Sequence, residues 1–258
     1  MLTLSVSALA ALFLCISCGL DLRLPGSEAD VSVSVSRFDR LQSRYLSTGD
    51  FSALQQMETD YPMETKTLIE QVLHIGFVND PDINNRFLVF FQDSTLQALV
   101  SDVETQYANM DDINRQLTSA FRNLKRELPD MEVPEVYAQI SALDQSIVIG
   151  ENTIGISLDK YLGEYYPLYQ KYYRSEQRAG MSRDNIVPDC ISFYLLSLYP
   201  LRGADTCTQQ ERDLHTGKVM WVTNKMLGTD FFQSKYVDAA DRYMSENKGT
   251  SIEQLLTP

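Results

Sequence analysis

The stretch VYAQISALDQSIVIGENTIGISL, residues 136–158, decides the fold class of this chain. Three short segments rich in β-branched residues, 136–140, 146–150 and 153–158, are separated in it by turn residues. This pattern is typical of short strands. Glu151 and Asn152 suit a two-residue hairpin turn between the last two segments. We therefore predict a small, mainly antiparallel sheet.

Helical patterns lie on both sides of this sheet. Apolar residues recur at helical spacing in seven segments, 38–46, 64–74, 80–91, 94–107, 112–128, 184–198 and 209–227. Before them, Val31, Val33 and Val35 alternate with serines, which predicts a strand with one buried face. The order of helices, sheet and helices predicts a mostly helical α+β fold. We place it in a single domain over residues 31–258.

The first eighteen residues predict export and a lipid anchor. Residues 1–17 carry no charge, and the apolar run ends at Ser17, directly before Cys18. A short apolar segment closed by a small residue is typical of an export signal, and a cysteine at this point is the bacterial lipobox pattern. We predict that residues 1–17 are a lipoprotein signal peptide and that Cys18 carries diacylglycerol and a fatty acyl chain such as palmitate. Residues 18–30 would be the tether. The alternative is a cleaved secretory peptide or an uncleaved anchor, with an incidental cysteine.

The charge of the chain limits its partners. It has 35 acidic and 22 basic residues, a formal net charge of -13. Such a chain is a poor partner for nucleic acid or for an anionic lipid surface. We therefore predict that it meets a membrane through the lipid anchor alone.

Two cysteines remain once Cys15 is removed and Cys18 carries lipid. A disulfide between Cys190 and Cys207 would close a short loop and contribute about 3 kcal/mol. Two free thiols are the other interpretation, because spacing in sequence does not decide the geometry.

Several short motifs follow one another along the chain. They are VSVSVSRFD at 31–39, YP at 61–62, HIG at 74–76 with DP at 80–81, AFRNLK at 120–125, PEVYAQIS at 134–141 and IGISLDKYLG at 154–163. In this order they resemble the gliding-motility lipoprotein GldB family of the Bacteroidota. The resemblance covers about residues 31–227, and the tail after it is shorter than is usual in that family.

That family is in turn similar to predicted zinc peptidases, which have a His-Glu-x-x-His helix and a later Glu-Gly helix. Zinc chemistry of this kind needs paired histidines, a third ligand and a general base. By this resemblance the two helices should fall near 186–198 and 214–227. The first contains no histidine, and the second has Thr216 after His215 where the acid would stand. The resemblance therefore implies a peptidase-like scaffold without the metal site.

His74 and His215 are the only histidines in the chain. A zinc site would need both of them beside a carboxylate, so we predict no metal ligand and no catalytic residue. The only cofactor that we expect is the lipid on Cys18. The chain would then be a pseudo-enzyme.

A tyrosine-rich segment is the other candidate for function. Six tyrosines lie within residues 161–173, and such rings could bind glycan or peptide or form an interaction surface. Helical spacing favours instead one packed face and one face in water. The candidates for this surface are Tyr165, Tyr166, Tyr169, Tyr172 and Tyr173.

Two further groups are weaker candidates. The carboxylates around the sheet could do acid–base work, but an acidic chain supplies such groups by chance. They are Asp144, Glu151, Asp159 and Glu164. Cys190 as a nucleophile would need His215 as its base, so a core thiol is the favoured role.

The sequence therefore predicts a non-catalytic lipoprotein of the cell envelope, facing the periplasm from the outer rather than the inner membrane. The resemblance to the GldB family implies that its partners are envelope proteins of a gliding or secretion-type complex and that it has a scaffold or assembly role. One alternative is a divergent hydrolase on the same scaffold. Another is a periplasmic module that binds glycan or peptide.

Overall fold

Helices precede and follow a small sheet in the computed structural model, which describes residues 31–203 and 205–257. Before the sheet lie α1 (Phe38–Thr48), α2 (Phe51–Asp60), α3 (Pro62–Lys66), α4 (Ile83–Phe90), α5 (Ser94–Gln106) and α6 (Asp111–Glu127). The strands are β1 (Glu135–Gln139), β2 (Ile147–Ile149) and β3 (Thr153–Ser157). After it lie α7 (Pro167–Tyr172), α8 (Ser175–Arg178), α9 (Ile186–Leu198), α10 (Gln209–Leu227), α11 (Lys235–Glu246) and α12 (Ile252–Leu256). This order confirms the predicted α+β class.

The compact unit begins at Val31 and has one hydrophobic core. The predicted signal peptide, Cys18 and the tether lie outside the described residues. Within those that are described, no helix is long and apolar enough to cross a membrane.

The segment before α1 is extended, but most of it is not a strand. Val31, Val33 and Val35 are buried, as their alternation predicts. The backbone N–H of Val33 donates to Thr118 Oγ1 at 2.9 Å, and that of Val35 donates to Asn114 Oδ1 at 3.0 Å. Side chains of α6 therefore take the place of a neighbouring strand, and only Ser36 forms a bridge, to β1.

Helix boundaries follow local chemistry. α1 ends at Gly49, whose left-handed φ of 69° closes the helix with an N–H bond to the Tyr45 carbonyl. α10 begins at a capping box formed by Thr208 and Glu211. The helix predicted over 64–74 begins earlier, at Pro62, and continues as a π-helical turn, Thr67–Val72. The helix predicted from residue 80 begins only at Ile83.

The sheet is mixed, so the prediction of a mainly antiparallel sheet is wrong. Its strand order is β1-β3-β2. β2 and β3 form the predicted antiparallel hairpin, whereas β1 pairs in parallel with β3 over five residues. Tyr137 lies opposite Gly155 in this pairing, and its ring packs over the glycine, where a β carbon would lie 2.6 Å from Tyr137 Cζ.

α10 and α11 pack very closely at Gly217. A β carbon there would lie 2.4 Å from Tyr236 Cβ and 2.8 Å from the Tyr236 carbonyl carbon. The sequence patterns did not predict α11, although Ser234 caps it and Val237 and Ala240 form its buried face.

Gly217→Ala is expected to lower the free energy of unfolding by about 2 kcal/mol, because the two helices must move apart. In an uncrowded helix the same change would add about 1 kcal/mol. Urea unfolding of the two proteins measures the difference. Gly249→Ala, in the turn after α11 where a β carbon meets nothing within 4 Å, is the control for an uncrowded glycine. A gain in stability for Gly217→Ala would contradict the observed packing.

Candidate functional site

The motif Arg37-Phe38-Asp39 joins α1 to the end of α5. Arg37 donates two hydrogen bonds to the Asp39 carboxylate, from Nε at 2.8 Å and from Nη2 at 2.7 Å. Arg37 and Arg40 also donate to the Tyr107 carbonyl, each at 2.8 Å. Asp39 is fully buried. These bidentate, charge-assisted contacts hold the two helices in a fixed arrangement.

Tyr107 connects this junction of α1 and α5 to the segment that follows β3. Its hydroxyl donates to the Tyr161 carbonyl at 2.6 Å, and burial raises its pKa. The Arg183 guanidinium lies 4.9 Å from the centre of its ring. Arg183 also donates to the two carboxylate oxygens of Asp112, at 2.6 and 2.9 Å. Those bonds hold the pKa of Asp112 at about 2.

The loop after β1 wraps around the carboxylate of Asp159. Asp159 Oδ1 accepts from the backbone N–H of Ser141 at 2.8 Å, and Oδ2 accepts from that of Leu143 at 2.6 Å. Ala142 and Leu143 have φ angles of 53° and 69°, a conformation that costs a non-glycine residue roughly 1–2 kcal/mol. Burial raises the pKa of Asp159, while the two N–H groups act in the opposite direction. The loop keeps its strained shape because this carboxylate binds it.

Lys160 and two tyrosines hold the same loop from its other side. Lys160 Nζ donates to the carbonyls of Leu143 at 3.2 Å and Asp144 at 3.3 Å. Tyr173 donates its hydroxyl to the Leu143 carbonyl at 3.0 Å. Tyr169 is fully buried and donates to the Asp159 carbonyl. These bonds fix the carbonyls of Leu143 and Asp144 on the side of the loop away from Asp159 Oδ1 and Oδ2.

Tyr161 links this loop to α9. Its hydroxyl donates to Asp189 Oδ2 at 2.8 Å, and burial is the main cause that raises the pKa of Asp189 to about 6. We call the connected set the motif network; its members are Arg37, Asp39, Tyr107, Asp159, Lys160, Tyr161 and Asp189. Its three carboxylates, those of Asp39, Asp159 and Asp189, each accept a hydrogen bond from an N–H or O–H group of the same chain.

Asp189→Asn is expected to stabilise the protein at pH 7.5. The pKa of Asp189 is raised in the folded protein, so protonated Asp189 contributes to stability below about pH 4. This contribution is lost as the pH rises through about 6. An amide of the same shape can still accept from Tyr161 without the cost of a buried charge. The free energy of unfolding of Asp189→Asn should exceed that of the wild type by about 2 kcal/mol at pH 7.5, and the difference should vanish at pH 4. Denaturant unfolding at both pH values measures it, and an equal effect at both would contradict the assignment.

The two histidines lie in separate places. His215 Nε2 lies 2.8 Å from the Tyr199 carbonyl, at the end of α9, and burial lowers its pKa. Asp189 is in the first turn of the same helix, so about 15 Å of helix separates it from Tyr199. His74 is exposed, with Nδ1 3.0 Å from the Glu70 carbonyl. No group of three or more His, Cys, Asp or Glu side chains able to hold a metal occurs in the described part of the chain.

The tyrosine segment divides as its helical spacing predicts, and it does not form one aromatic cleft. Tyr169 is buried, while Tyr166 and Tyr173 are partly buried with their hydroxyls bonded. Only Tyr165, 75 % exposed, and Tyr172, 61 % exposed, present their rings to solvent. The five candidate tyrosines therefore do not form one exposed surface, because three of them pack against the fold.

The cysteines and carboxylates also have clear positions. Cys190 is buried and Cys207 is half-buried, and both are free thiols, so the disulfide that spacing left open is not formed in the structure. Burial raises the pKa of Cys190, which makes it a poor nucleophile. Of the four carboxylates around the sheet, only Asp159 is buried; Asp144 and Glu151 are exposed and Glu164 is partly so.

Sequence patterns missed Tyr107 and Asp189 as members of the motif network. Asp189 carried a usable signal, since it is the only charged residue in the apolar helix α9. Tyr107 carried none, because its role depends on contacts with residues far away in sequence.

Comparison with known proteins gives one match. A family model described as gliding motility protein GldB matches residues 24–235. No curated protein and no solved structure matches the chain. The relation to zinc peptidases therefore stays a prediction.

Proposed function

The chain belongs to the gliding motility protein GldB family, and we propose that it acts as a non-catalytic scaffold of the motility machinery. Membership of that family implies a gliding-motility-related lipoprotein of the cell envelope. The scaffold role is our further step. It places the chain among the parts that position other proteins rather than among those that transform a substrate.

The proposal rests on the burial and the hydrogen bonding of the motif residues. Asp39, Asp159 and Tyr161 are buried, and each is bonded to backbone or side-chain groups of its own chain. Catalytic groups need access to a substrate in a concave site. Side chains that are fully engaged inside the fold support a structural role for the motifs.

The anchor completes the proposal. Lipid on Cys18 would hold the protein at the membrane, and residues 18–30 would let the folded unit reach its partners. We place this unit in the periplasm at the outer membrane. The partners are other envelope proteins of a gliding or secretion-type complex.

Metal analysis of the purified protein tests the non-catalytic part. The full chain is expressed with zinc present, purified in detergent and analysed beside His215→Ala. We expect no stoichiometric zinc in either protein. Zinc near one equivalent that is lost in His215→Ala would contradict the proposal and favour the hydrolase.

A further inference from the structure

A cavity of about 480 Å³ lies where α6, the start of α9 and the end of α10 meet. Its floor is apolar and includes Ala120, Pro188 and Met226, all of which are buried. Phe231 also lines it and is 37 % exposed. A concave apolar floor beside an exposed aromatic ring suits an inserted side chain.

The walls of this cavity are fixed by bonds between the elements. Asn123 on α6 donates to the Met226 carbonyl at the end of α10, at 2.7 Å. Arg183, in the turn before α9, pairs with Asp112 on α6 at 2.6 Å. The site is therefore formed before any partner arrives, which lowers the entropic cost of binding.

The lining of the cavity carries negative charge only. Asp184 and Asp230 line it, and its lining includes neither Lys nor Arg. Both aspartates are exposed. Neither carboxylate forms a hydrogen bond or an ion pair with another described residue. Asp184 interacts only through space with the charge of its neighbour Arg183, whose guanidinium is bound to Asp112. Gln116 and Ser119 add uncharged polar groups to the rim.

We propose that this cavity receives a lysine or arginine side chain from a protein partner. The methylene groups of such a side chain would cover the apolar floor while its charged end meets the carboxylates. Phe231 offers a ring for a cation–π contact. This surface rests on the proposed scaffold role and gives it a place of contact and a partner chemistry.

Methyl NMR tests the proposal on the full chain in detergent, with ¹³C-labelled methionine. The probes are three blocked pentapeptides, Ala-Leu-X-Leu-Ala, in which X is lysine, glutamate or norleucine. We expect the lysine peptide to shift the Met226 methyl signal and to bind at least tenfold more tightly than the other two. The double variant Asp184→Asn with Asp230→Asn should lose about tenfold in affinity.

A matched double variant, Asp130→Asn with Asp144→Asn, changes the net charge equally at exposed residues outside the cavity and should bind as the wild type does. Equal binding of all three peptides, binding of none, or an equal loss in both double variants would overturn the proposal. Such a failure would leave the scaffold role standing, since the metal analysis tests that separately.

Discussion

Asp159→Ala is expected to lower the free energy of unfolding by about 3–4 kcal/mol. The change leaves the buried N–H group of Ser141 and the partly buried N–H group of Leu143 without an acceptor, and a buried group of this kind costs about 1–3 kcal/mol. The strained loop loses its main support as well. Urea unfolding at pH 7.5, followed by circular dichroism, gives the difference from the wild type.

Asp144→Ala is the control for that variant, because Asp144 lies on the same loop and its side chain is exposed. Its effect should stay within about 0.5 kcal/mol. A loss below about 1 kcal/mol for Asp159→Ala would mean that the carboxylate is not what holds the loop.

Asp39→Ala is expected to cost about 3 kcal/mol. The Asp39 side chain is 1 % exposed and that of Arg37 is 27 % exposed, so removal of the acid leaves a partly buried cation with only the Tyr107 carbonyl as a partner. The junction of α1 with the end of α5 then loosens. Thermal and urea unfolding of the variant measure the loss.

Glu104→Ala removes the other acid that pairs with Arg40 in this region, at 3.4 Å and with a side chain 55 % exposed. Exposed pairs contribute less than about 1 kcal/mol, so this control should unfold close to the wild type. Similar losses for the two variants would show that burial does not decide the effect.

Seven helices, α1, α3 to α6, α9 and α10, were predictable because their signals are local, whereas α11 was not predicted. α10 spans the predicted residues 209–227, since Thr208 caps its start and Gly228 its end. The hairpin of β2 and β3 is local too. The order of the strands was not predictable, because the parallel pairing of β1 with β3 joins strands that are not neighbours in sequence. The segment 31–35 has the alternation of a strand, yet its N–H partners are side chains of α6.

The candidate site was predicted less well, for the same physical reason. Asp159 was recognised only as one acid among several near the sheet. Its importance comes from a loop with two left-handed residues, Ala142 and Leu143, that no periodicity indicates. The links from Asp39 through Tyr107 and Tyr161 to Asp189 join four separate parts of the sequence.

The central claim is that the motif network holds the fold and performs no chemistry. The most direct test is whether Asp189→Asn supports gliding motility in the native host, in cells that lack the wild-type gene. We predict motility and membrane abundance at least equal to those of the wild type, because the amide keeps the bond to Tyr161 and removes a buried charge. Loss of motility at normal abundance and raised stability would contradict the claim, since it would show that the ionisable carboxyl itself is needed.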